Sequence, residues 1–155
     1  MQELDSIFEE FAEAFAGRIR SELGEIASPS LLSRAQLDYS LNSLDEVDRY
    51  LGNLVARKVD LADQEYENTV LWGGAYAGEV IRRNAQLEYH WTPYEDFMAT
   101  HENLRKVLPF GFTTRTLLCC VDGAMTMPIN KVARFLDEGP ENSLRYYAGV
   151  ECNRK

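Results

Sequence analysis

Glu79 is the residue in this chain with the strongest case for acid–base chemistry. It lies in "LWGGAYAGEVIRRN", residues 71–84, behind five small residues and ahead of Arg82 and Arg83. The arginines stand at the spacings where a helix pairs opposite charges. If this segment is an inner helix, the Glu79 carboxylate needs a partner. Arg82, Arg83, the Tyr89 hydroxyl and the Trp91 indole N–H are the candidates. So held, Glu79 is either a general acid or base or one half of a structural ion pair. His90 is the second titratable candidate, on the polar side of an alternating segment. Glu88 lies two residues before it on the same side and would raise its pKa. Glu79 with His90 or a tyrosine is the smallest acid–base set the chain offers.

Other chemistries find no pattern. A dinucleotide loop needs G-x-G-x-x-G directly after a strand. Here the glycines fall at 73, 74 and 78, and Glu65–Val70 shows no strand period. A phosphate loop needs Lys-Ser/Thr after its last glycine, where this chain has Glu79-Val80. His90, His101, Cys119, Cys120 and Cys152 show no metal-ligand spacing, and adjacent residues of a strand point to opposite faces. No metal site and no cofactor is expected. There is no G-x-S-x-G elbow, and mid-strand thiols are usually inert.

The elements that must position these residues follow from periodicity. Leu4, Phe8, Phe11, Phe15 and Ile19 recur at spacings of three and four, which predicts an amphipathic helix over 3–23. Covering such a stripe contributes about 2 kcal/mol per large side chain. "QLDYS", residues 36–40, reads as a short strand. Ser43-Leu-Asp-Glu46 reads as a capping box before a helix with Leu44, Val47, Leu51, Leu54 and Val55 inward. A third helix runs from about Asp63 to Asn84. Its three central glycines cost about 1 kcal/mol each relative to alanine. Close packing of a bare face against another backbone would recover that cost.

"LEYHW", residues 87–91, alternates as a half-buried strand does. Thr92-Pro-Tyr-Glu95 is a second capping signature, leading a helix with Tyr94, Phe97, His101, Leu104 and Leu108 inward and ending at Pro109. Residues 112–121 read as the longest strand. Asp122-Gly123 turns it into a return at 124–127. Pro128 starts another helix, Gly139-Pro140 closes it, and a short last helix carries Leu144 and Tyr147. The fold class is α+β: one mostly helical domain over 1–155 with a small antiparallel sheet of about three strands. In it, an N-terminal helix precedes an α+β body over 36–150.

Composition points to an ordinary globular chain of 155 residues, 45% apolar, with net charge −9. The charge is lopsided. Met1–Glu67 holds fifteen acids against six bases, whereas Asn68–Lys155 holds ten of each. Such a field repels nucleic-acid phosphates and anionic membranes and attracts a basic partner. Glu9, Glu10, Glu13, Asp45, Asp48 and Asp60 are the expected contact residues. Three cysteines make a poor disulfide framework, and residues 1–15 lack the marks of a signal peptide. The expected location is therefore cytoplasmic.

"LDYSLNSLDEVDRYL", "WGGAYAGEVIRRN", the nearby tryptophan and "MPINKVARFLDEGPENSL" together resemble a family of small bacterial single-domain proteins of unassigned function. The resemblance covers about Leu37–Tyr147 and marks Tyr76, Gly78, Glu79 and Trp91. Size and acidity are also similar to those of immunity proteins of bacterial toxin systems. The leading expectation is a non-catalytic protein-binding module, such as an immunity protein that blocks a basic toxin sterically. The alternatives are the small enzyme built on Glu79, or a homodimer subunit meeting its copy through the Phe8/Phe11/Phe15 stripe or the Gly74/Gly78 face.

Overall fold

The computed structural model describes residues 2–155. Among them are six α-helices and a three-stranded antiparallel sheet of order β1-β2-β3, so the chain is a mostly helical α+β domain. The helices are α1 (Gln2–Phe15), α2 (Leu44–Ala56), α3 (Asp63–Asn84), α4 (Tyr94–Met98), α5 (Pro128–Glu138) and α6 (Leu144–Cys152). The strands are β1 (Tyr89–Pro93), β2 (Thr116–Cys120) and β3 (Met125–Thr126).

The axis of the molecule is α3, with α1, α5 and α6 packed around it. Every residue from Trp72 to Ile81 is buried, so the helix has no solvent face there. The glycines are what allow this. A Cβ on Gly74 would lie 2.5 Å from the Cα of Ile129 in α5, and one on Gly78 would overlap the Trp91 ring. The bare face expected from the sequence is therefore filled from both sides by the chain itself. Phe8 and Phe15 are likewise buried, with Phe15 against Tyr50 and Tyr76. The Gly74/Gly78 face is thus closed, and of the Phe8/Phe11/Phe15 stripe Phe11 alone stays partly exposed.

The sheet follows its alternation. Tyr89 pairs with Cys120 and Trp91 with Leu118, and these four side chains join the main core. On the other sheet face Leu117 packs with Tyr94, Phe97 and Met98 in a smaller cluster, with Cys119 against it. Cys119 and Cys120 thus point to opposite sides, and all three cysteines are free thiols.

Several boundaries differ from the sequence reading. The first helix stops at Phe15, not near residue 23, because Gly17 takes a left-handed turn with φ 76°. Arg34 then reaches in from the loop, and its Nε donates to the freed Phe15 carbonyl at 2.9 Å. This is the role a C-terminal cation plays, supplied from outside the helix. Ile19 therefore falls off the stripe, at 44% exposure.

Residues 36–40 form no strand. They lie among short 3-10 turns at Pro29–Leu31, Arg34–Gln36 and Leu41–Ser43. The last of these displaces the expected cap: Ser40 Oγ accepts from the Ser43 N–H at 3.2 Å, while Ser43 makes no side-chain cap. Glu46 turns instead to Ser33 N–H at 2.7 Å and to Arg49. Likewise Thr92 Oγ1 donates to the His90 carbonyl rather than capping α4, and α4 ends after five residues. The long strand expected at 112–121 is ordered as a strand only over Thr116–Cys120. Thr114 folds back onto the Pro109 carbonyl at 2.8 Å and keeps the preceding residues in a turn.

Candidate functional site: a sealed carboxylate network and an open recess

Three elements bring charge together beneath the first turns of α1. Periodicity in α3 places Glu79 one residue beyond Gly78, and the missing Cβ there lets the Trp91 ring of β1 lie flat on the helix. Phe8 stacks on the other face of that ring, with centroids 4.3 Å apart. The indole N–H of Trp91 consequently meets the Glu79 carboxylate at 2.9 Å. Arg82 Nη1, one turn on, donates to both carboxylate oxygens at 3.1 and 3.0 Å. Glu79 is 1% exposed. Burial pushes its carboxyl up, and the Trp91 N–H and the Arg82 charge pull it back down.

The network continues through Asp5 of α1. One Asp5 oxygen accepts from the Trp91 backbone N–H at 2.8 Å. The other meets His90 Nδ1 at 2.7 Å and Arg82 Nη2 at 3.2 Å. His90 Nε2 also contacts the exposed Glu88 carboxylate. Hydrogen bonds to Asp5 and then Glu88 raise the His90 imidazole above its ordinary value. Arg82 Nε donates to the Tyr89 carbonyl at 3.0 Å, so its guanidinium is fully engaged. Chemically this is a satisfied ion-pair network of the kind that fixes one arrangement of packed elements. A groove of about 290 Å³, lined by Glu9, Glu79, Arg82, Glu88 and His90 among others, opens beside it.

The four positions marked by the resemblance occupy one neighbourhood but do different things. Gly78, Glu79 and Trp91 form the contact just described. Tyr76 points elsewhere: its hydroxyl accepts from the Tyr39 N–H at 2.9 Å and bonds Ser43 Oγ at 2.7 Å. The Tyr89 hydroxyl goes to Glu151 at 2.9 Å and not to Glu79.

The six acids expected to meet a partner also separate. Glu9 and Glu10 are exposed on α1, and Asp45 and Asp60 are exposed elsewhere. Glu13 is occupied by the Tyr39 hydroxyl at 2.6 Å and by Arg18. Asp48 caps α6, accepting from Ser143 Oγ and the Leu144 N–H, each at 2.7 Å. It is a structural residue, and the sequence showed no sign of this because its partners lie about ninety-five positions away.

Asp5 was not visible as a site residue, although a signal existed. Asp5, Phe8, Ala12 and Phe15 share the inward face of α1, all buried, which places an acid at a core position. Arg20 and Arg34 were equally unmarked; they meet Trp72 in a recess at the far end of α1. Among the described residues no group of three His, Cys, Asp or Glu side chains is placed to hold a metal ion. No described helix is long and apolar enough to cross a membrane. Compared with protein-family models, with characterised proteins and with solved structures, the chain matches none.

Proposed function

We propose that the protein is a non-catalytic binding module that offers the outer face of α1 to a basic partner protein. One observation carries this reading. Glu3, Glu9 and Glu10 are exposed on α1 around Ile7, itself 39% exposed, and of the three Glu9 alone has a cation contact among the described residues, with Arg82 at 3.5 Å. An apolar residue ringed by like charges suits a surface that steers a cationic partner and then buries a small centre. An immunity protein that blocks a basic toxin in the bacterial cytoplasm is the most concrete form of this module. The acids outside α1, Asp45 and Asp60, are peripheral to the surface so defined.

The test is binding to a defined basic probe, a synthetic polylysine peptide, measured at two salt concentrations. The double variant Glu9→Lys/Glu10→Lys is expected to bind at least tenfold more weakly and to lose most of the salt dependence. Unchanged affinity and unchanged salt slope would remove the proposal.

A second reading, a small enzyme using Glu79 with His90, draws on the groove beside them and on the raised Glu79 carboxyl. It has to contend with a carboxylate whose oxygens are both engaged by Arg82. Glu79→Gln separates the readings: lost stability with partner binding intact in the refolded protein favours the module.

A further inference from the structure

The loop after α1 is fastened to one face of α3. Asn68 Nδ2 donates to the Leu23 carbonyl at 3.0 Å and to the Glu25 carbonyl at 3.1 Å. Thr69 Oγ1 accepts from the Ala27 N–H at 2.9 Å. Trp72 is the next residue on that face. It is 1% exposed, and its indole nitrogen is the one buried side-chain nitrogen or oxygen without a hydrogen-bond partner among the described residues. Folded chains rarely leave such a donor unmatched, so the group calls for an acceptor from outside the fold.

Trp72 forms part of the wall of a recess of about 430 Å³, together with Gly17, Arg20, Ser21, Glu25 and Arg34. The one carboxylate in that wall is largely spent on the fold. Glu25 accepts from both terminal guanidinium nitrogens of Arg34, at 2.7 and 3.1 Å, and from the Ile26 N–H at 2.9 Å. The Arg34 bond holds the Glu25 carboxyl below its ordinary value. Arg34 also covers the Phe15 and Ala14 carbonyls, which would otherwise present the negative end of α1.

The donors, by contrast, are unspent. Ser21 Oγ accepts from the Leu23 N–H at 3.0 Å, which leaves its own hydrogen to give. Arg20 is exposed and makes no hydrogen bond or ion pair among the described residues. A recess that offers the Ser21 hydrogen and the full positive charge of Arg20, and holds in its wall Trp72 with its unmatched N–H, suits an anion with several lone pairs.

We propose that this recess binds a small oxyanion, a carboxylate or phosphate group, between the Trp72 indole N–H and the Arg20 guanidinium. The site is independent of the acidic face of α1 and of any partner that face meets.

The two tryptophans make the test internally controlled. The full-length ¹⁵N-labelled chain gives two indole N–H signals, and Trp72→Phe assigns them. Sodium acetate, inorganic phosphate and uncharged acetamide are titrated at constant ionic strength. The Trp72 signal is expected to move to saturation with acetate or phosphate, while the Trp91 signal stays in place. Whichever anion saturates first identifies a planar or a tetrahedral group as the better fit. Arg20→Ala is expected to weaken binding at least tenfold, and Arg20→Lys to recover part of it. The proposal is overturned if neither anion gives a saturable shift, if acetamide acts equally, if both indoles move together, or if Arg20→Ala leaves the affinity unchanged.

Discussion

Glu79 and Trp72 stand seven residues apart on α3, two turns along one face, and α1 runs past both. At one end an indole N–H, that of Trp91, meets a carboxylate, which is in turn held by an arginine. At the other end the same chemical group, on Trp72, meets nothing within the fold. The charges at the Glu79 end are numerous and spent on one another. Those at the Trp72 end are few, and Arg20 is unspent. The dense titratable cluster is thus the end of α3 where the fold has satisfied its own charges. A satisfied network has used its capacity to bind, whereas the donor that folding leaves unmatched has not.

That comparison can be broken at the Glu79 end first. Glu79→Ala leaves the buried Trp91 N–H without its acceptor and removes one carboxylate from Arg82, and is expected to cost about 3–5 kcal/mol. Urea denaturation measures it; a loss under about 1 kcal/mol would mean the network is not structural. Gly74→Ala should come next, at about 3 kcal/mol, because the new methyl meets the Ile129 backbone, which cannot rotate away. A tolerated alanine would show that α3 and α5 are less tightly seated than described.

The His90 contacts give a smaller, pH-dependent effect. Its folded pKa is raised, so the stability it contributes is complete below its unfolded value near 6.5 and fades as pH rises through the folded value. The chain should be more stable at pH 6 than at pH 8, by less than about 1 kcal/mol for so exposed a pair. His90→Gln should flatten that slope; an unchanged slope would assign it elsewhere. At the Trp72 end, Arg20→Ala should shift the urea midpoint least, by under about 0.5 kcal/mol. A large loss would make Arg20 a structural residue after all and erase the contrast between the two ends.

The sequence was legible where local physics acts. Period and punctuation placed α3 at Asp63–Asn84, and Gly73, Gly74 and Gly78 announced its close packing. Asp122-Gly123 located the hairpin, and Pro128 and Gly139 bracketed α5. Legibility failed where a group's partner is remote. Ser43 and Glu46 carry a capping pattern, but a 3-10 turn moved the cap to Ser40 and sent Glu46 to Ser33. Ile19 continued the stripe on paper, yet Gly17 had already ended the helix.

Residue types and their spacing by themselves determined the helical α+β class, the buried character of the glycine segment and the acidity of the first half. Those properties depend on neighbours within a turn or two, or on plain sums. Tertiary structure alone decided that Asp5 joins Trp91, that Asp48 caps α6, and that Arg34 consumes Glu25 while Trp72 goes without. Hydrogen bonds are short and directional, so which donors are left over is set by which chain segments the fold brings within about 3 Å of one another.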